Sequence, residues 1–183
     1  MTESNRIVTG KCRASFVHLL SPTAAPGSDK AKFSMMLLVP KDDAATIKKL
    51  RDAEKVATEK GKDTKWGGKI PKGLGSIIRD ADEELDLERQ PEAAGHLFLN
   101  VSNSRKPPVV DRAKNALTAE DEVYSGMYVR ASLSAFPYSA QGNKGVSFGL
   151  EAVQKLADGP SLGGGGGADD FDDLDDEDDD DLI

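Results

Sequence analysis

Hydrophobic and polar positions alternate with a period of two over much of the first 160 or so residues, a pattern that predicts strands. Residues 6–20 read as one long strand. Val8, Gly10, Cys12, Ala14 and Phe16 share one face; Ile7, Thr9, Lys11, Arg13, Ser15 and Val17 share the other. Residues 21–30 hold two prolines and a glycine and predict a loop. Residues 33–39 are nearly all apolar and stop at Pro40, as a short buried strand does. The period then changes. Asp42 or Asp43 can cap a helix in which Ala45, Ile47, Leu50, Ala53, Val56 and Ala57 recur at helical spacing, with Gly61 as its stop. Residues 61–76, rich in glycine and lysine around Trp66, predict a loop; residues 77–80 predict a short strand; residues 82–94, charged and containing Pro91, predict a surface loop.

Strand signals return after that. In residues 96–103, Leu97, Leu99 and Val101 oppose Phe98, Asn100 and Ser102. Residues 106–111 are extended, and Pro107 and Pro108 confine them to an edge or a connector. Across residues 124–138, Met127, Val129, Ala131, Leu133 and Ala135 form an apolar face. Tyr124, Tyr128, Arg130, Ser132, Ser134, Phe136 and Tyr138 form the opposite one. Residues 141–145 turn the chain, and Val146, Phe148 and Leu150 line the inner face of a last strand. Roughly five or six strands with one helix predict a mainly β (α+β) fold, a small Greek-key barrel.

Charge divides the chain in two. Residues 168–182 carry eleven acidic side chains and no basic one, after five glycines at 163–167. The formal charge is −8, so with those eleven set aside residues 1–162 carry +3. The expected organisation is a domain over 1–162 and a glycine linker with a disordered acidic tail over 163–183. A mildly basic body leashed to an acidic tail suits a protein that handles a polyanion. No apolar run is long enough to span a membrane, and the first residues carry no secretory pattern. The single cysteine, Cys12, excludes an internal disulfide and fits a reducing, cytoplasmic setting.

The outer face of residues 124–138 is the chief candidate for chemistry. Unpaired bases stack on aromatic rings at about 1–3 kcal/mol each while basic groups track the phosphates. Tyr124, Tyr128, Arg130, Phe136 and Tyr138 supply both on one face. Phe98 on its outer face, and Lys11 with Arg13, repeat the pairing elsewhere. Lys32, Arg105, Lys106 and Lys144 extend a basic groove, and Trp66 stands among five lysines between Lys60 and Lys72. The spacing around Lys69 is not that of a Walker A loop. One cysteine with His18 and His96 makes no usual zinc site, and no hydrolase or deaminase motif occurs, so neither catalysis nor a cofactor or metal is expected. In the tail, Asp178, Asp179, Asp180, Asp181, Leu182 and Ile183 end the chain on an apolar tip that solubility does not require. The tail is expected to compete with nucleic acid for the basic face and, once displaced, to dock a protein partner.

Three stretches then carry a resemblance. They are residues 105–111, residues 122–131 with Tyr124, Ser125, Gly126, Tyr128 and Arg130, and residues 142–150 with Asn143, Lys144, Gly145 and Phe148. Together with residues 153–159 they resemble the tailed-phage single-stranded DNA-binding proteins, an OB-fold family formerly filed as a domain of unknown function. The likeness covers about residues 6–165. It implies an OB-fold core, sequence-independent binding of single-stranded DNA, and no catalysis. It also implies a role in phage DNA replication, recombination or repair in the host cytoplasm, with replication or recombination proteins recruited by the tail. A homodimer is left open. Two rival readings follow from the residues alone. One is a protein–protein adaptor with an OB-like domain and a recruitment tail. The other is a nuclease using Asp80, Asp82 and Asp111 with a divalent cation.

Overall fold

The computed structural model describes residues 5–24, 30–140 and 143–162; the predicted linker and acidic tail lie outside the described residues. Two strands, not one, occupy the N-terminal stretch: β1 (Arg6–Val8) and β2 (Cys12–Ala24). The chain leaves the ladder between them because its polar groups are used elsewhere. The Thr9 hydroxyl accepts from the Ala131 amide at 3.0 Å, and the Gly10 amide donates to Thr46 Oγ1 at 2.8 Å. Strand β2 runs on into residues expected to be loop, as far as Ala24.

Strand β3 (Ala31–Pro40) pairs antiparallel with β2. Helix α1 (Ala44–Thr64) follows. Asp43 caps it by accepting from the Thr46 amide at 3.2 Å and the Thr46 hydroxyl at 2.6 Å. Leu50, Ala53, Ala57 and Gly61 form its buried face. Gly61 is therefore no stop. It lies within the helix where a Cβ would fall 2.6 Å from Pro137 and 2.9 Å from the Trp66 ring, so close packing requires a residue without a side chain.

The segment expected to be a charged surface loop is more structured. After β4 (Arg79–Asp80) come a short helix α2 (Ala81–Glu84) and a 3-10 turn (Pro91–Ala93). Next are β5 (His96–Asn103), the edge strand β6 (Val109–Val110), β7 (Tyr128–Ala140) and β8 (Asn143–Ala157). Both long strands differ from expectation at their ends: residues 124–127 precede β7 as a turn, and β8 continues well past Leu150.

Strands β2, β3, β5, β8 and β7 are hydrogen-bonded in that order, and β7 closes back on β2. This is a closed five-stranded Greek-key barrel of OB type. The β5–β8 pairing is parallel and the other barrel pairings are antiparallel. Strand β1 pairs with β7 over residues 132–134, β4 with one end of β5, and β6 with β8. Phe148, Leu19, Met35, Leu37, Leu50, Leu99, Met127, Leu133 and Leu150 fill the interior, and α1 packs on β7 and β8.

A second, smaller core lies outside the barrel. Met36, Leu38 and Phe98, on the outer faces of β3 and β5, are buried under Ala81, Ala93, Leu85 and Leu87. Lys41 ties this cover down through ion pairs to Asp80 at 2.7 Å and Asp82 at 2.6 Å.

Candidate nucleic-acid interface

Strand β7 builds the site. Val129, Ala131, Leu133 and Ala135 point into the core, so Tyr128, Arg130, Ser132, Ser134, Phe136 and Tyr138 must line the outside. From Tyr128 to Tyr138 this strip is about 34 Å long at roughly 3.4 Å per residue.

At one end, the Lys11 ammonium lies 4.6 Å and the Arg13 guanidinium 5.4 Å from the Tyr128 ring centre. Arg13 also donates to the Gly126 carbonyl at 3.2 Å and the Pro160 carbonyl at 2.8 Å. Gly126 has φ +114°, and a Cβ there would collide with the Pro160 carbonyl. A Cβ on Gly159 would reach to 2.8 Å from the Tyr128 ring. Residues 158–160 thus form a strap against this end. The Tyr124 hydroxyl donates to the Asp158 carboxylate at 2.9 Å and accepts from the Gly159 amide at 3.1 Å. Lys155 pairs with Asp158 at 2.6 Å and lies 5.1 Å from the Tyr124 ring centre. The Lys155 ammonium, and then the Tyr124 hydroxyl, hold the Asp158 carboxyl below its ordinary pKa.

In the middle, Arg130 donates to Gln154 Oε1 at 2.5 Å. The Gln154 amide in turn donates to the carbonyls of Asp111 at 3.1 Å and Arg112 at 3.2 Å. Arg112 bonds the Leu156 carbonyl at 3.2 Å. Both guanidiniums are exposed and aimed by their partners, so little side-chain freedom is left to lose on meeting a phosphate.

At the far end, Phe136 and Tyr138 are 43% and 36% exposed. Their cross-strand partners on β8 are Ser147 and Gly145, with Gly149 beside them. A Cβ on Gly145 would lie 3.0 Å or less from atoms of the Tyr138 side chain. The Tyr138 ring therefore lies across bare backbone, which supports it from below. Lys144, opposite Ser139, is exposed on the same hairpin. Where β3 meets the end of β5, Lys32 stands one step from the Phe33–Asn103 pair, and Arg105 and Lys106 follow directly after β5. The Arg105 amide donates to Asn103 Oδ1 at 2.9 Å, which turns the chain there.

The structure thus gathers Lys11, Arg13, Tyr124 and Tyr128 at one end of the strip, Arg130 in its middle, and Phe136, Tyr138 and Lys144 at the other end. Lys32, Arg105 and Lys106 sit at the β3–β5 rim. Two expected site residues are not on the surface. Trp66 is buried, its indole donating to the Tyr138 carbonyl at 3.1 Å, so its ring is not open to a base. Phe98 is on the outer face as expected, but the residue 81–93 segment covers it. Conversely, Phe16 was expected to share a face with Cys12 and Ala14, which are buried, and is 46% exposed. Its φ of +47° marks a bulge, where β2 spends three residues from Ser15 to His18 against two on β3. Alternation carries no signal for such a bulge. The tail residues Asp178–Asp181, Leu182 and Ile183 lie outside the described residues.

The acids of the nuclease reading have other employment. Asp80 and Asp82 hold Lys41, and Asp111 accepts from the Ala113 and Asn115 amides at 2.8 and 2.9 Å. Among the described residues, no group of three or more His, Cys, Asp or Glu side chains could hold a metal. The Cys12 thiol is buried, and desolvation pushes its pKa up to about 12, which keeps it a neutral packing group.

Comparison with known proteins gives concordant matches. The family described as "Enterobacter phage Enc34, ssDNA-binding protein" matches residues 5–183. A protein designated p50, from Acyrthosiphon pisum secondary endosymbiont phage 1, is 34% identical over 167 residues, covering 88% of each chain. The solved structure of the single-stranded DNA-binding protein from bacteriophage Enc34 in complex with ssDNA superposes with a TM-score of 0.73 at 25% identity, covering 87% of this chain and 90% of that one. The bacteriophage T7 single-stranded DNA-binding protein gp2.5 shares the fold, with a TM-score of 0.62 at 14% identity over 93% of this chain and 95% of its own.

Proposed function

The chain belongs to the phage Enc34 single-stranded DNA-binding protein family, and from that premise we propose that it coats single-stranded DNA without sequence preference along the outer face of β7. It is a binding protein and not an enzyme. The observation that carries the reading is the strip itself. Two half-exposed rings, Phe136 and Tyr138, lie in line on β7 with the exposed Arg130 and with Tyr128, beside whose ring Lys11 and Arg13 are placed. Bases stack on the rings, which favours unpaired strands. Phosphates meet the guanidiniums and ammoniums, which makes affinity fall steeply with salt. Every base has a π-face, so the arrangement is tolerant of sequence.

Residues 1–162 act as the binding domain, with Lys32, Arg105, Lys106 and Lys144 guiding the backbone. The acidic tail at 163–183 competes with DNA for the basic strip and, when displaced, offers Leu182 and Ile183 to a replication or recombination protein. The opposite charges of the two parts support this. So does geometry: the Leu162 amide is bonded to the Ser125 carbonyl at 2.9 Å, so the tail begins next to the Arg13–Tyr128 end of the strip. The setting is the cytoplasm of a phage-infected host.

Fluorescence anisotropy tests this with a labelled strand of about 30 nucleotides and its duplex, at two salt concentrations. The expected result is tight, salt-sensitive binding that prefers the single strand and strengthens on truncation to 1–162. Equal affinity for the duplex would sink the stacking mechanism. Unchanged affinity on truncation would sink tail competition.

A further inference from the structure

The loop after α1 stands apart from the strip. From Lys60 to Lys72 the last turn of α1 and this loop together carry five lysines and a single acid, Asp63. Lys60, Lys62, Lys65, Lys69 and Lys72 are all exposed, and none has an ion pair or side-chain hydrogen bond among the described residues. Several lysines elsewhere are engaged: Lys41 with two aspartates, Lys48 with Asp52, Lys49 with the Val8 carbonyl, Lys155 with Asp158. Crowding unpaired like charges costs stability, so an unsatisfied cluster of this kind calls for an external anion.

The loop is also fixed in place. The Trp66 indole is its anchor, buried against Gly61 and bonded to the Tyr138 carbonyl. That carbonyl is available because β1 covers only residues 132–134 of β7. The same residue whose ring is presented by the hairpin is thus tied through its backbone to the lysine loop. Around the anchor, Gly67 and Gly68 have no atom within 4 Å of a would-be Cβ, so the backbone there is open to close approach.

We infer that residues 60–72, the last turn of α1 with the loop after it, are a second phosphate contact, taking the single strand as it leaves the Phe136–Tyr138 rings and extending the footprint beyond the barrel. This inference rests on the single-stranded DNA reading above. Its occupant is the DNA backbone, because the loop is tied to the strand that carries the stacking rings and has no exposed ring of its own.

The test uses the full chain with Lys65→Gln, Lys69→Gln and Lys72→Gln combined, against strands of about 10 and about 30 nucleotides, bracketing one OB-fold site. An unchanged thermal melt confirms folding, since these side chains have no bonded partner among the described residues. For the longer strand the expected affinity loss is at least about tenfold at low salt, and the plot of log affinity against log salt flattens by about 2, at roughly 0.7 per phosphate contact. The shorter strand loses less, and the triple Lys→Arg variant retains wild-type binding. Unchanged affinity for the long strand overturns the inference. So does increased affinity, which would identify the acidic tail as the occupant of the loop. Failure of the wild type to prefer single strands would instead overturn the underlying reading.

Discussion

The two ends of the β7 strip are built from similar residues and differ in what those residues are bonded to. At the Tyr128 end almost every polar group is engaged: Arg13 holds two carbonyls, Tyr124 and Lys155 hold Asp158, and residues 158–160 press on the ring. At the Tyr138 end the rings rest on backbone, and Lys144 has no partner among the described residues. Aromatic and cationic residues on an outer face therefore do two jobs. One end is pre-organised scaffold that aims a few cations, and the other is open surface able to accept bases.

Ligand binding separates the ends most sharply. Replacing Phe136 and Tyr138 together by alanine should weaken single-strand binding by about 1–3 kcal/mol per ring while leaving the melting temperature nearly unchanged. Titration by anisotropy alongside a thermal melt reads both; a large stability loss with intact affinity would reverse the assignment. The opposite end should answer in stability. Gly126→Ala meets both the Pro160 carbonyl and a φ of +114°, and a strained backbone of this kind costs about 1–3 kcal/mol. Chemical denaturation measures that loss. Between them, Arg130→Gln should flatten the salt dependence by about 0.7 of a log unit per log unit, the share of one phosphate. Tyr124→Phe removes one hydroxyl and should cost about 1 kcal/mol of stability with little change in DNA affinity.

Acid should produce the mildest effect. Lys41, through its hydrogen bond, lowers the pKa of Asp82; Asn115, through its backbone amide, lowers that of Asp111; and Lys155 does the same for Asp158, each from an ordinary 3.8. A depressed carboxylate stabilises the fold fully above its unfolded pKa, and that support is lost as pH falls through the lower folded value. Unfolding monitored below about pH 4 should show the loss, and Asp158→Asn should reduce it.

Alternation along residues 128–138 was enough to read the outer face of β7, and the core positions Leu50, Ala53 and Ala57 were equally legible, with the helix cap narrowed to Asp42 or Asp43. These are local properties, because a strand's pleat and a helix's turn relate neighbours a few residues apart. The barrel and the one long helix followed from counting such elements, and the motif resemblance supplied their arrangement. Exposure did not follow in the same way. Phe98 alternates as an outer residue yet is covered by residues 81–93, and Trp66 sits in a lysine-rich loop yet is drawn under the hairpin by a carbonyl 72 residues away. Phe16 is turned outward by a bulge that no residue type announces. Sequence by itself determined which side of β5, of β7 and of α1 faces away from the barrel interior. Only the tertiary structure decided which outward faces stay uncovered, because covering them depends on segments that are distant along the chain and meet only on folding.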